Sequence, residues 1–181
     1  MHIRIEQIKD EDLQLRFEEG AETFPILAEM ADKGECKFLA PIKTDLRAIR
    51  IGDMIEIEGR INTRVRLACG RCLKKFETPL NPHFALTYTH PTEDLQADTA
   101  QEEVELRAEE MGLVYFEGET IDLQDGIQEQ IVMAFPLRAL CREDCKGLCA
   151  QCGHDLNDGV CSCEPQPSNG TFAALKDLKL K

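Results

Sequence analysis

Eight of the nine cysteines in this chain fall into four short-range pairs. The pairs are, in chain order, C-x-x-C at Cys69 and Cys72, C-x-x-x-C at Cys141 and Cys145, C-x-x-C at Cys149 and Cys152, and C-x-C at Cys161 and Cys163. Thiolates at such spacings can reach a tetrahedral metal ion from one tight turn, without a large fold to position them. The spacing therefore predicts a metal-clamped protein, with zinc as the ion.

The separations of these cysteines allow a grouping into two sets of four. Cys149-x-x-Cys152 is followed by Gly153, the arrangement of a zinc knuckle, and Cys161-x-Cys163 comes one loop later, so these four can close one Cys₄ site. Cys69 and Cys72 can then meet Cys141 and Cys145 in a second site that ties distant segments together. We predict at least one bound zinc ion. A second ion is predicted if Cys69 and Cys72 come together with Cys141 and Cys145. Cys36 is expected to be an ordinary thiol.

Three alternatives for the cysteines stay open at this point. Cys145, Cys149 and Cys152 have the C-x-x-x-C-x-x-C spacing of an iron–sulfur enzyme, although the large α/β barrel of such enzymes has no counterpart here. Cys69 and Cys72 have the spacing of a thiol–disulfide enzyme, although no βαβ pattern precedes them. His154 lies beside the knuckle and can replace a cysteine as ligand, but a turn position is favoured for it.

Charge and composition limit the functional class. The 181 residues carry a net charge of −13, so phosphate backbones repel the chain at long range and nonspecific coating of nucleic acid is not expected. The start of the chain lacks an apolar signal region, and no apolar run is long enough for a membrane span. We expect a soluble cytoplasmic protein without DNA or membrane partners. Because no catalytic motif is present, we expect no enzymatic activity.

Patterns along the chain predict an α+β protein with an antiparallel β-rich body, one or two packing helices and a C-terminal Cys-rich zinc-knuckle segment. Alternation predicts strands over 54–58 and 61–67, joined by a two-residue turn at Gly59-Arg60. Helical periodicity predicts a helix over 23–33, capped by Thr23, and a second helix that ends before Pro136. The predicted organisation is a β-rich body with a short helix (1–90), an acidic flexible loop (91–112), a strand and helix completing the body (113–140), the Cys-rich metal-binding segment (141–165), and a linker with a short helical tail (166–181).

One stretch is basic in this acidic chain. Six cations occur before the next acid, Glu77, and they are Arg60, Arg64, Arg66, Arg71, Lys74 and Lys75. This local excess makes them the predicted contact for RNA phosphates or for a partner protein. A solvated strand face, combined with charge compensation for the metal, is the alternative. No aromatic residue alternates with Arg64 and Arg66 on their strand face, so recognition of RNA bases is not predicted.

Two segments of the chain resemble the YceD family, the large ribosomal RNA subunit accumulation proteins. The first is Cys69-Gly-Arg-Cys72-Leu73 with Phe76 and Pro79. The second runs from Tyr115-Phe-Glu-Gly-Glu-Thr-Ile-Asp-Leu123 through Pro136-Leu137 and Cys145-Lys-Gly-Leu-Cys149 to Leu156-Asn157 and the final cysteine pair. The resemblance covers about residues 50 to 165. It implies a cytoplasmic, non-enzymatic factor for accumulation or maturation of large-subunit ribosomal RNA, acting on the RNA or its assembly particle directly or through a ribosomal protein. A redox protein using Cys69 and Cys72, and a zinc module that docks on another protein, are the alternatives.

Overall fold

A computed structural model describes residues 1–8, 12–91 and 112–163 of the chain. Its strands are β1 (His2–Arg4), β2 (Leu13–Glu19), β3 (Lys37–Phe38), β4 (Ile42–Ile51), β5 (Met54–Ala68), β6 (Lys75–Leu80), β7 (His83–Thr89), β8 (Leu113–Tyr115) and β9 (Thr120–Asp122), and its α-helices are α1 (Pro25–Asp32) and α2 (Gln124–Met133). Most of the predicted acidic loop, residues 92–111, and the chain from 164 onward lie outside the described residues.

Strand β5 organises the sheet. Its 15 residues span about 50 Å at the usual rise of an extended chain. Strands β4 and β7 flank its first part, whereas β3 and β6 flank its last part. The main sheet has the order β2-β4-β5-β7-β8, with β3 and β6 also paired to β5, and β1 pairs with β9 separately. All of these pairings are antiparallel except β7 with β8.

The predicted turn at Gly59-Arg60 is wrong, because β5 passes straight through these residues. The hairpin turn lies between β4 and β5 instead, where Ile51 pairs with Met54 and Gly52 adopts a positive φ of 62°. Gly59 has a different role. A Cβ there would lie 2.5 Å from Cζ of Phe84 on the neighbouring strand, so the missing side chain makes room for this ring.

One face of the sheet forms the core. The alternation of β5 buries Ile55, Ile57, Ile61, Val65 and Leu67 on that face, as the sequence predicted. Helix α2 adds its i, i+4 stripe of buried residues to the same core, and α1 contributes Leu27. The predicted α+β class, with an antiparallel β-rich body and packing helices, is confirmed. No helix within the described ranges has the length and apolarity that crossing a bilayer requires.

The first turn of α1 depends on a side chain from α2. Thr23 does not cap this helix; Phe24 occupies the cap position and makes no side-chain hydrogen bond there. Instead the backbone N–H of Ile26 donates to Oε1 of Gln128 at 2.8 Å. Gln128 is only 4% exposed, so this bond lies in the contact between the two helices.

Replacement of Gln128 by alanine is expected to lower the free energy of unfolding by about 1–2 kcal/mol, because the N–H of Ile26 loses its acceptor in a partly buried position. Urea denaturation measures this loss. The exposed neighbour Glu129 provides the control, since Glu129→Ala should change stability by less than about 0.5 kcal/mol. Equal losses in the two variants would contradict the capping role.

Candidate metal centres and basic face

The first candidate centre joins the end of β5 to the segment that follows α2. Its members are Cys69, Cys72, Cys141 and Cys145, whose sulfur atoms all lie within 4.8 Å of one another. The Sγ atoms of Cys69 and Cys145 are 3.8 Å apart, and those of Cys72 and Cys141 are 3.7 Å apart. Four thiolates about 2.3 Å from a tetrahedral zinc ion would be separated by about 3.8 Å. The four sulfurs therefore fit a zinc ion.

Local structure explains why Cys69 and Cys72 point inward. Cys69 directly follows β5 and continues the alternation that buries Val65 and Leu67, and it is fully buried. The chain then turns back: the N–H of Leu73 donates to the carbonyl of Cys69 at 2.9 Å, and the N–H of Cys69 donates to the carbonyl of Lys74 at 2.9 Å. Leu73 has a φ of 59°, in the left-handed region, which closes this turn.

The second candidate centre lies within the C-terminal segment. Its members are Cys149, Cys152, Cys161 and Cys163, whose sulfurs also lie within 4.8 Å of one another. This centre is more open than the first, since Cys152 is exposed and the other three are half-buried.

The turn at the second centre repeats the hydrogen bonds of the first. The N–H of Gly153 donates to the carbonyl of Cys149 at 2.9 Å, and the N–H of Cys149 donates to the carbonyl of His154 at 2.8 Å. Gly153 has a φ of 72° and occupies the position that Leu73 occupies in the first turn. Two C-x-x-C turns thus share one backbone conformation, the knuckle that presents both sulfurs to one side. His154 contributes its carbonyl to this turn, and the group of ligand atoms consists of the four sulfurs.

The structure brings the cysteines together in the two sets of four that their spacing allowed, while ligation itself stays a prediction. This division separates Cys145, in the first set, from Cys149 and Cys152, in the second. The three residues of the iron–sulfur spacing therefore do not converge on one point. Cys36 is buried in the main core and belongs to neither set, as expected for an ordinary thiol.

The thiols within each set differ in acidity. Backbone N–H groups of Cys72 and Cys141 lower the pKa of Cys69 to about 6, whereas burial and the neighbouring thiols raise the pKa of Cys141 to about 12. In the second set, the N–H groups of Cys152 and Gln151 lower the pKa of Cys149 to about 6. Hydrogen bonding to Cys152 together with burial raises the pKa of Cys163 to about 12. A bound cation would displace the protons that the more basic thiols retain.

Two of the predicted RNA-contact residues make internal bonds at these centres. The guanidinium of Arg71 donates to the carbonyl of Cys145 at 2.7 Å and to that of Glu143 at 3.2 Å. The ammonium of Lys74 lies 2.8 Å from Asp155 and 3.1 Å from Asp158. These pairs raise the pKa of Lys74 and lower that of Asp155 to about 2. Arg71 thus ties the first knuckle to the segment that follows α2, whereas Lys74 ties it to the loop of the second centre. Charge compensation for the metal, the alternative interpretation of the basic stretch, stays a prediction.

The other four predicted cations lie on the solvent face of the sheet. Arg60, Arg64 and Arg66 occupy even-numbered positions of β5 and share that face. Lys75, on β6, pairs with Ala68 at the end of β5 and lies on the same face. Arg66 forms an ion pair with Glu77 at 2.6 Å. Arg60, Arg64 and Lys75 are exposed and have no ion pair among the described residues.

Sequence reasoning missed Lys37, a further cation of this surface. Lys37 on β3 pairs in register with Arg66 on β5, so both side chains project from the same face. We call Lys37, Arg60, Arg64, Arg66 and Lys75 the basic face. The local sequence does not identify Lys37 as part of this surface, because only the pairing of β3 with β5 places it beside Arg66. Like charges in directly opposed positions destabilise a sheet, and the ion pair of Arg66 with Glu77 places one anion beside this pairing.

Comparison with known proteins assigns the chain to a family. The sequence model of the large ribosomal RNA subunit accumulation protein YceD matches residues 57–179, which include both cysteine sets. The chain belongs to the YceD family. The match covers β5 from Ile57 onward and includes all members of the basic face except Lys37.

Relatives of this family member include proteins of bacteria and plants. An uncharacterised protein of Mycobacterium leprae is 29% identical over 65% of this chain and 50% of its own length. An uncharacterised protein of Mycobacterium tuberculosis H37Rv is 30% identical over 65% of this chain and 52% of its own. The Arabidopsis thaliana protein named as chloroplastic YCED homolog 1, a large ribosomal RNA subunit accumulation protein, is 22% identical over 77% of this chain and 49% of its own.

The chain spans about half the length of the curated relatives it matches. No solved structure matches it.

Proposed function

We propose that this chain is a non-enzymatic, zinc-stabilised factor that supports accumulation or maturation of large-subunit ribosomal RNA in the cytoplasm by contacting RNA phosphates through the basic face. The observation that carries this proposal is that the basic face and the first centre are continuous along the chain. Strand β5 bears Arg60, Arg64 and Arg66, ends at Ala68, and passes directly into Cys69 of the first centre. A metal ion at that centre would therefore fix the end of the basic strand.

The chemistry of the basic face favours RNA backbone over bases. Its members offer ammonium and guanidinium donors, which suit phosphate oxygens. The aromatic neighbours Phe38 and Phe76 are half-buried and pack against the core, so they are not available for base stacking. Since the whole chain carries a charge of −13, attraction to RNA would be confined to this surface.

A second candidate function is docking on a ribosomal protein through the first knuckle. Leu73 is 65% exposed although it is apolar, and its φ of 59° is strained for a residue other than glycine. A leucine held in this way would fill a pocket on a protein partner. A thiol–disulfide activity is less well supported, because Cys69 is fully buried and Cys72 is 4% exposed, which leaves little access for a disulfide substrate.

Crosslinking separates the two partner classes. Ultraviolet irradiation of the protein bound to precursor particles of the large subunit is expected to link RNA to peptides that contain Lys37 or Arg64. Crosslinks to ribosomal proteins alone, concentrated on the turn with Leu73, would contradict RNA contact and support protein docking. Turnover of a disulfide substrate that Cys72→Ser abolishes would instead support the redox alternative.

Metal content has a direct test. Native mass spectrometry of protein purified without added metal is expected to show two zinc ions, because each set of four sulfurs fits one ion. Replacing Cys161 and Cys163 by serine should leave one ion, whereas Cys36→Ala should leave two. Purified protein that carries no ion, or only iron, would contradict the zinc centres.

A further inference from the structure

We infer that the two metal centres bind cooperatively, and that Asn157 is the positioning residue that couples them. This inference rests on the zinc centres proposed above. Asn157 belongs to the loop that connects Cys152 with Cys161 in the second centre, yet its side chain contacts the first. Its Nδ2 lies 3.5 Å from Sγ of Cys145, in position to donate a hydrogen bond to that sulfur. A donor to a ligand sulfur stabilises the thiolate and orients it.

The acceptor side of the same amide also faces the first centre. Oδ1 of Asn157 accepts from the backbone N–H of Lys146 at 2.8 Å and from the guanidinium of Arg142 at 2.8 Å. Lys146 directly follows Cys145, and Arg142 directly follows Cys141. Asn157 therefore holds the backbone that follows Cys145 and the side chain that follows Cys141, both in the first centre.

The orientation of Asn157 is itself held by Asp155. Oδ1 of Asp155 accepts from the backbone N–H of Asn157 at 2.9 Å and from its Nδ2 at 2.6 Å. The other carboxylate oxygen of Asp155 pairs with Lys74 from the first knuckle at 2.8 Å. The contact thus runs in both directions, since a residue of the first knuckle positions the loop of the second centre.

Backbone bonds join the two segments in the same region. The N–H of Leu148 donates to the carbonyl of Arg71 at 3.1 Å, and the N–H of Leu156 donates to the carbonyl of Gly147 at 2.9 Å. A Cβ at Gly147 would lie 3.1 Å from the carbonyl oxygen of Arg71, so the two turns approach as closely as a glycine permits. Ordering one loop therefore orders the other, and binding of one ion should favour binding of the next.

The coupling has a direct test with cadmium-113 NMR and zinc competition. Fully reduced protein loaded with cadmium is expected to give two resonances. Asn157→Ala should shift only the resonance of the first centre and weaken zinc binding there by 10–100-fold, the usual effect of losing an outer-sphere partner. Asn81→Ala, in the exposed turn between β6 and β7, is the matched control and should change neither.

A double-mutant cycle tests cooperativity apart from folding. Replacing Cys161 and Cys163 by serine empties the second centre and should also weaken zinc binding at the first. In that background Asn157→Ala should have a smaller effect than in the full protein, because its loop is no longer held. Unchanged affinity of the first centre in both variants would overturn the coupling while leaving the zinc centres in place. A protein that binds no ion would overturn both.

Discussion

Replacing Cys69 and Cys72 by serine is expected to lower the free energy of unfolding by at least about 3 kcal/mol and to release one ion. These cysteines connect β5 to the segment after α2, and the residues they join are far apart in sequence: 69 positions separate Cys72 from Cys141. A metal ion that closes so long a loop removes much entropy from the unfolded chain. Denaturant titration and native mass spectrometry of the same sample measure both effects.

The second centre should contribute less. Cys152 and Cys161 are close in sequence, and the logarithmic dependence of closure entropy on loop length gives the first centre an advantage of about 2 kcal/mol. Cys161→Ser with Cys163→Ser should therefore destabilise the protein less than Cys69→Ser with Cys72→Ser. Cys36→Ala controls for loss of a buried thiol outside both centres. Two results together would show that the first centre holds no structural ion. Cys36→Ala would destabilise the protein as much as Cys69→Ser with Cys72→Ser, and a chelator would leave the unfolding transition of the wild-type protein unchanged.

Charge reversal on the basic face is expected to weaken association with large-subunit RNA or its precursor particles about 100-fold. The variant combines Lys37→Glu, Arg64→Glu and Lys75→Glu, three exposed residues without ion pairs among the described residues. If each contacts a phosphate, the slope of log affinity against log salt should also fall by about three. Binding titrations over a range of salt concentrations, with co-sedimentation on gradients, measure these changes.

A matched triple variant separates the surface from the net charge. Arg4→Glu, Lys33→Glu and Arg50→Glu also reverse three exposed cations, but these belong to other parts of the fold: Arg4 to β1, Lys33 to the end of α1 and Arg50 to the end of β4. Each reversal changes the charge by −2, so both triple variants go from −13 to −19. Equal losses of binding would show that net charge, rather than the basic face, governs association. Undiminished binding of the first variant would remove the basic face from the proposed function.

Arg71 is left out of this variant for a structural reason. Its guanidinium holds the carbonyls of Glu143 and Cys145, so Arg71→Glu would place a carboxylate against two acceptors beside the first centre. Loss of RNA association in that variant would report a disturbed fold as much as a lost contact. Lys74 is left out for the same reason, since it pairs with Asp155 and Asp158.

The strand faces and the four cysteine pairs were predictable from sequence because they depend on short-range rules. The meeting of Cys69 and Cys72 with Cys141 and Cys145, at least 69 positions away, depends on the fold. Alternation in β5 assigns Ile57 and Val65 to the core whatever the partner strands are. The hairpin was misplaced because glycine serves two purposes. Gly52 supplies the positive φ of the turn, whereas Gly59 makes room for Phe84, and only the register between β5 and β7 distinguishes the two roles.

By itself, the sequence determined which side chains are candidates for the chemistry: sulfur pairs at knuckle spacing, a basic strand in an acidic chain, and the motifs of the YceD family. Tertiary structure decided which of them are free to act. Strand pairing brought Lys37 beside Arg66. The segment that follows α2 occupied Arg71, whereas the loop of the second centre occupied Lys74 and directed Asn157 towards Cys145. Spacing describes what one segment can reach, but a hydrogen bond or ion pair between distant segments exists only after the chain has folded.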